Sequence, residues 1–154
     1  MRFVPVVGLL VVLAGCTTTT PAKSEDLELR LVIDVPGMNK EALSSKTIAW
    51  LLNTFPSSKL ETQDTDSGRT IIGHGRTEFA NKIGAAIPCD FTITAEIEDG
   101  RERLTFDDWI GQWGDFKSNP EPITEAGYAG EVRAKLEKLA SALDSYLKTS
   151  QTRR

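Results

Sequence analysis

The sequence predicts an α+β domain with the element order β-α-β-β-β-β-α. Three observations carry that prediction. Apolar and polar residues alternate from Leu27 to Val35 and again on both sides of Asp99-Gly100, which is the period of half-buried strands. Two stretches, Asn39 to Thr54 and Glu125 to Lys148, instead repeat apolar residues every three or four positions. Turn formers such as Pro36-Gly37 and Ser67-Gly68 separate these stretches, and the length suffices for one core.

In the first strand Leu27, Leu29, Leu31, Ile33 and Val35 alternate with Glu28, Arg30, Val32 and Asp34, and Pro36-Gly37 ends it. Asn39 is placed to cap a helix running to about Thr54, because its side-chain oxygen can accept from a free first-turn amide. Leu43, Thr47, Trp50, Leu51, Thr54 and Phe55 fall on one side of that helix, which must face a sheet, since so short a helix is marginal alone in water. Lys59 to Asp66 reads as a weakly patterned strand and Ser67-Gly68 as a turn with a residue able to take positive φ; a two-residue and a three-residue loop both remain open. On the return strand, Arg69 to Phe79, the residues His74, Arg76 and Glu78 share one face. Ile71, Gly73, Gly75, Thr77 and Phe79 take the core face, where the two glycines predict a helix approaching closely.

Pro88 to Glu98 and Arg101 to Trp109 form a hairpin around Asp99-Gly100, the dipeptide favoured by type I′ turns. A two-residue turn sets the inner pairs Ile97 with Glu102, Ala95 with Leu104, Ile93 with Phe106 and Phe91 with Asp108. It sets the outer pairs Glu98 with Arg101, Glu96 with Arg103, Thr94 with Thr105 and Thr92 with Asp107. Opposite charges and threonines facing each other in this way stabilise a solvated sheet surface. Ile110 to Thr124 is expected to be an ordered loop over a sheet edge. The final helix places Tyr128, Val132, Leu136, Leu139, Leu143 and Tyr146 on one stripe and Glu131 with Lys135 as an i,i+4 ion pair; residues 150–154 form a polar tail.

The N-terminus has a different character. Arg2 is followed by an aliphatic run from Phe3 to Leu13, broken only by Pro5 and Gly8, too short to span a bilayer, and closed by Leu13-Ala14-Gly15-Cys16. This resembles the lipobox of bacterial lipoproteins. The resemblance implies that residues 1–15 are a signal peptide, that Cys16 is lipidated and that the mature chain is anchored to a membrane by several acyl chains. The alternatives are an ordinary signal peptide or a buried N-terminal strand. Residues 16–26 read as a flexible tether with a reach of roughly 15 to 20 Å, and residues 27–149 as the single domain. By resemblance to sorting in Gram-negative lipoproteins, Thr17 in the position after the cysteine implies the periplasmic side of the outer membrane.

Loss of Arg2 with the signal leaves 17 basic against 22 acidic side chains, a formal charge of about −5. Such a domain repels phosphate backbones, so no nucleic acid partner is expected. With Cys16 lipidated, Cys89 stands alone, which excludes an intramolecular disulfide and predicts a buried, inert thiol on the inner face.

No catalytic constellation stands out, so the reading is of a non-enzymatic protein without cofactor or metal. His74 is the sole histidine, which excludes a two-histidine metal site. Gly73-His74-Gly75 lacks the third glycine and the following helix of a dinucleotide fingerprint. Counting a calcium loop from Asp64 puts Arg69 where glycine is required and Gly75 where the bidentate acid is required. Asp107 and Asp108 are expected on opposite faces, Asp108 at the end of the inner one, and Glu96 has a cross-strand arginine, so no carboxylate pair is formed. Trp109, Trp113 and Phe116 are expected to pack the loop against the sheet, a peptide or glycan platform being the alternative. The expected interaction surface is the face bearing His74, Arg76, Thr94, Glu96, Arg103 and Thr105, presented to an envelope protein or small ligand. An envelope hydrolase using His74 as base, and a purely structural lipoprotein, are the competing functions.

Asn39-Lys40-Glu41 leading to Trp50, then Asp66 to Gly75, then Asp90 to Trp109 resemble a bacterial envelope family described only as a domain of unknown function with a TBP-like fold. The resemblance spans about residues 27–109. It implies an antiparallel sheet with two helices on one face and the other face open, and it brings no catalytic or ligand residues.

Overall fold

The computed structural model describes residues 20–114 and 119–149. After a single 3-10 turn, Ser24–Leu27, the elements are β1 (Leu29–Asp34), α1 (Lys40–Thr54), β2 (Glu61–Asp64), β3 (Arg69–Ala80), β4 (Ala86–Glu98), β5 (Arg101–Trp113), β6 (Asn119–Pro122) and α2 (Ala126–Thr149). All strands pair antiparallel in the order β1-β5-β4-β3-β2, and β6 joins β5 beyond the end of β1. The core lies between the sheet and the two helices. Ile71, Phe79, Phe91, Ile93, Ala95, Ile97, Leu104 and Phe106 project from the strands toward Leu43 and Leu51 of α1 and Val132, Leu136, Leu143 and Leu147 of α2. Each such aliphatic or aromatic side chain stabilises the fold by roughly 1.5 to 3 kcal/mol on burial. The α+β class and the layering are as expected.

Asn39 caps α1, its Oδ1 accepting from Ala42 N at 2.9 Å. A second cap comes from far along the chain: Lys40 N donates to Asp99 Oδ1 at 2.7 Å. That contact accounts for a departure in the β4–β5 turn. A type I′ turn needs positive φ at both central residues, yet only Gly100 (φ 74) has it, and Asp99 is turned toward the helix N-terminus instead. Gly100 N donates to Met38 O and Val35 N to Gly100 O, so the hairpin tip and the helix entry form one bonded unit. Asp99→Ala should therefore lower stability by about 1 kcal/mol, the usual cost of losing an N-terminal cap, as read from a urea midpoint.

Several expectations are corrected. The β2–β3 loop has two central residues, Asp66 and Ser67, since Thr65 and Gly68 bond each other through both backbone groups. Gly68 has no positive φ. It is glycine because a Cβ there would sit 2.4 Å from the Ile97 carbonyl oxygen. At Gly73 and Gly75 the close neighbours are Leu60, Ser58, Phe55 and Phe91, so what approaches is the exit from α1 together with a core ring, not the helix body. Glu131 and Lys135 do not pair: Glu131 Oε2 accepts from Ala80 N at 3.0 Å and Lys135 Nζ donates to Glu78 O, which caps the free edge of β3. On α2 the buried stripe includes Ala129, Ala140 and Leu147, while Tyr146 is 38% exposed.

The segment expected as a loop is partly strand. β5 runs on to Trp113, and β6 pairs Pro122 with Ile110 and Pro120 with Gln112. Its prolines hid it. Ile123 N donates to Trp109 O, so alternate nitrogens face β5, and those of Pro120 and Pro122 turn away, where a missing N–H costs nothing. The register also shifts between Thr92, opposite Asp107, and Asp90, opposite Ile110; the extra residue is Asp108, at φ 52. Phe91 therefore does not face Asp108, and Asp107 and Asp108 do not lie on opposite faces with Asp108 inside: Asp108 is exposed and Trp109 buried.

Finally, the expected tether is shorter. Ala126 N donates to Thr20 O, Ala22 N to Thr124 O, and Pro21 bridges Glu125, so the chain is docked on the domain from Thr20 onward. Residues 1–19, including Cys16, and the tail 150–154 lie outside the described residues.

Candidate functional site

The sheet face opposite the helices carries mostly polar side chains, interrupted by Val32, Ile72 and Ile110, and all six residues of the expected surface stand on it. Toward the β4–β5 hairpin, Arg103 Nη1 meets Glu96 Oε2 at 3.2 Å, and Thr94 faces Thr105. A shallow groove of about 360 Å³ runs there between Arg30, Val32, Glu96, Arg103 and Thr105. His74 and Arg76 lie at the other end, beside Thr92 and Asp90. The six residues therefore form two groups on one face, separated along the strands.

The second group borders a larger groove of about 910 Å³. One wall is the turn after α1, with Phe55, Pro56, Ser58 and Lys59; the other is His74, Arg76, Asp90, Thr92, Asp108 and Ile110. Ser58 holds the walls together, its Oγ accepting from His74 N at 3.0 Å. Gly73 and Gly75 permit this, because a Cβ at either would meet Leu60 or Phe91 within 2.6 Å. In the wall, Thr92 Oγ1 stands between an imidazole and a carboxylate, 3.4 Å from His74 Nδ1 and donating to Asp108 Oδ2 at 3.2 Å. The Asp108 bulge supplies that carboxylate, at a φ few non-glycine residues adopt.

Asp90 is held by both nitrogens of the Arg76 fork, at 2.5 and 3.0 Å, and by Gln112 Nε2 at 2.9 Å. Hydrogen bonding from Arg76 keeps its carboxyl below the usual range. Asp107 moves the other way, raised first by partial burial and then by the charge of Asp108. Asp90 and Thr92 are site members that residue patterning did not single out, and Asp108, expected at the end of the inner face, joins them from the open one. The available signal was the spacing of three between core residues Phe106 and Trp109, one too many for a regular strand.

Cys89, Trp109 and Trp113 lie in or against the core. Cys89 is fully buried, and burial pushes its thiol up to about 12. Trp109 is buried, and Trp113 packs on Phe79 and Tyr128 with ring centroids 5.4 and 5.5 Å apart. Phe116 lies outside the described residues. Among the described residues no group of three or more His, Cys, Asp or Glu is placed to hold a metal ion. No helix among them is long and apolar enough to cross a membrane.

No family model matches the chain, and no curated protein does. Two solved structures are similar. A TBP-like protein from Parabacteroides distasonis superimposes with a TM-score of 0.62 at 12% identity, over 83% of this chain and 96% of that one. A DUF4468 family protein from Bacteroides ovatus does so with a TM-score of 0.54 at 12% identity, over 84% and 88%. The fold is TBP-like, as the resemblance implied, and one of these two structural neighbours is described as a DUF4468 family protein.

Proposed function

We propose that this chain is a lipid-anchored protein of the bacterial envelope that binds a protein or small ligand on its open sheet face, without catalysis, and that the groove between His74 and the turn after α1, at one end of that face, is the main contact. The observation that carries the reading is the groove itself. Apolar Phe55, Pro56 and Ile110 lie beside convergent polar groups, His74, Thr92 and Asp108, the combination that orients a ligand. The anchor rests on Leu13-Ala14-Gly15-Cys16 and the outer-membrane placement on Thr17. A photo-crosslinking residue at Ser57, on the groove wall, should capture the same partner as one at Thr94, whereas one at Tyr146 on α2 should not. Asp108→Lys should cut capture by at least about tenfold. Equal capture at all three positions would remove the face from the proposal.

The Thr92 hydroxyl between His74 and Asp108 favours one second reading, a hydrolase in which His74 takes a proton from a hydroxyl or water in the groove. That reading requires turnover of an envelope substrate that His74→Ala abolishes.

A further inference from the structure

We infer that the tip of the β3–β4 hairpin, centred on Ile83, is a second membrane contact that seats the anchored domain on the lipid surface in one orientation. The inference rests on the proposed lipidation of Cys16.

Ile83 is 88% exposed, the most exposed of the large hydrophobic side chains among the described residues. It leads the run Ile83-Gly84-Ala85-Ala86, in which every residue is exposed and none is polar. The tip is held in shape: Asn81 Oδ1 accepts from Ile83 N at 3.1 Å and Ala85 N at 2.8 Å, Asn81 N donates to Ala85 O, and Gly84 N to Asn81 O. An isoleucine fixed outward on a bonded turn contributes nothing to the core, so its apolar area is available to another surface. The one charge at the tip, Lys82, is drawn back onto the domain, its ammonium 3.3 Å from Glu125 Oε2.

Glu125 also fixes the place of the tip relative to the anchor. Pro21 bridges Glu125, and Thr20 O accepts from Ala126 N. The described chain therefore enters the domain one side chain away from the hairpin tip. Only residues 17–19 lie between Cys16 and Thr20, a span of at most about 14 Å when extended. An anchor at Cys16 thus brings this end of the domain to the lipid, and a lipid surface is the occupant the tip meets. Once the chain is anchored the contact is intramolecular, so one inserted side chain suffices to bias orientation.

The test uses the full lipidated protein in vesicles of phosphatidylethanolamine and phosphatidylglycerol. An environment-sensitive fluorophore is placed at Ile83→Cys and, for comparison, at Gln63→Cys on exposed β2; buried Cys89 does not compete for label. Spin-labelled lipid should quench the probe at position 83 at least about threefold more than the probe at 63. Quenching no greater at 83 than at 63, in protein that floats with the vesicles, overturns the seating while leaving the anchor intact. Protein that does not float, or that floats equally well as Cys16→Ser, overturns both.

Discussion

Replacing Glu102 by glutamine is expected to make the protein more stable than the natural chain at pH 8 by about 3 kcal/mol, and to bring the two within about 1 kcal/mol at pH 5. Glu102 sits on the inner face of β5, fully buried beneath α1, opposite Ile33 of β1 and Ile97 of β4. Its Oε2 accepts from Thr47 Oγ1 at 2.7 Å, and its Oε1 has no hydrogen-bond partner. Burial pushes its pKa from 4.5 to about 7, against the pull of the Thr47 bond. Between those values the folded chain holds a proton that the unfolded chain has lost. The stability contributed by the neutral carboxyl is therefore present in full below 4.5 and is lost as the pH rises through about 7. Glutamine stays neutral and keeps an oxygen for Thr47. Urea unfolding at the two pH values measures the difference, and parallel behaviour of the two proteins would show that Glu102 does not titrate in this range.

The second large effect belongs to Phe91. Its ring lies 5.8 Å from that of Phe55 and 6.0 Å from that of Phe106, and it is 2% exposed. Gly75 opposite has no side chain with which to fill a void, so Phe91→Ala should cost about 3 to 5 kcal/mol. The same contact makes Gly75→Ala costly on its own, because its Cβ would lie 2.5 Å from Phe91 Cζ. In the Phe91→Ala background that clash is gone, so a double-mutant cycle should show strong coupling between the two sites. Additive losses, or a cost below about 1 kcal/mol for Phe91→Ala, would contradict this packing.

Much of the fold was legible because local signals and tertiary structure agree. Asn39 caps α1, Asp99-Gly100 sets the β4–β5 register, and alternation assigned every residue from Glu98 back to Thr92 to its face. The reading failed where a tertiary contact outweighs a local rule. Glu131 and Lys135 satisfy the backbone edge of β3 in preference to each other, and Asp99 serves a helix 59 residues away. The candidate site was legible in half. His74 and Arg76 follow from strand parity, but Asp108 joins them only through a bulge, and Ser58 only through chain reversal after α1.

That bulge makes β5 a strand of two phases. Up to Asp107 the even-numbered residues point into the core and are paired beside β1; from Trp109 the odd-numbered residues do so, beside β6. One residue thus separates two sequence frames, and the half bearing the ion-pair rows can vary in composition without disturbing the half that seats Trp109 and Trp113. A change in length at that point is felt at the groove instead: without Asp108 the spacing from Phe106 to Trp109 falls to the regular two, so the second half keeps its faces while the carboxylate beside Thr92 is lost.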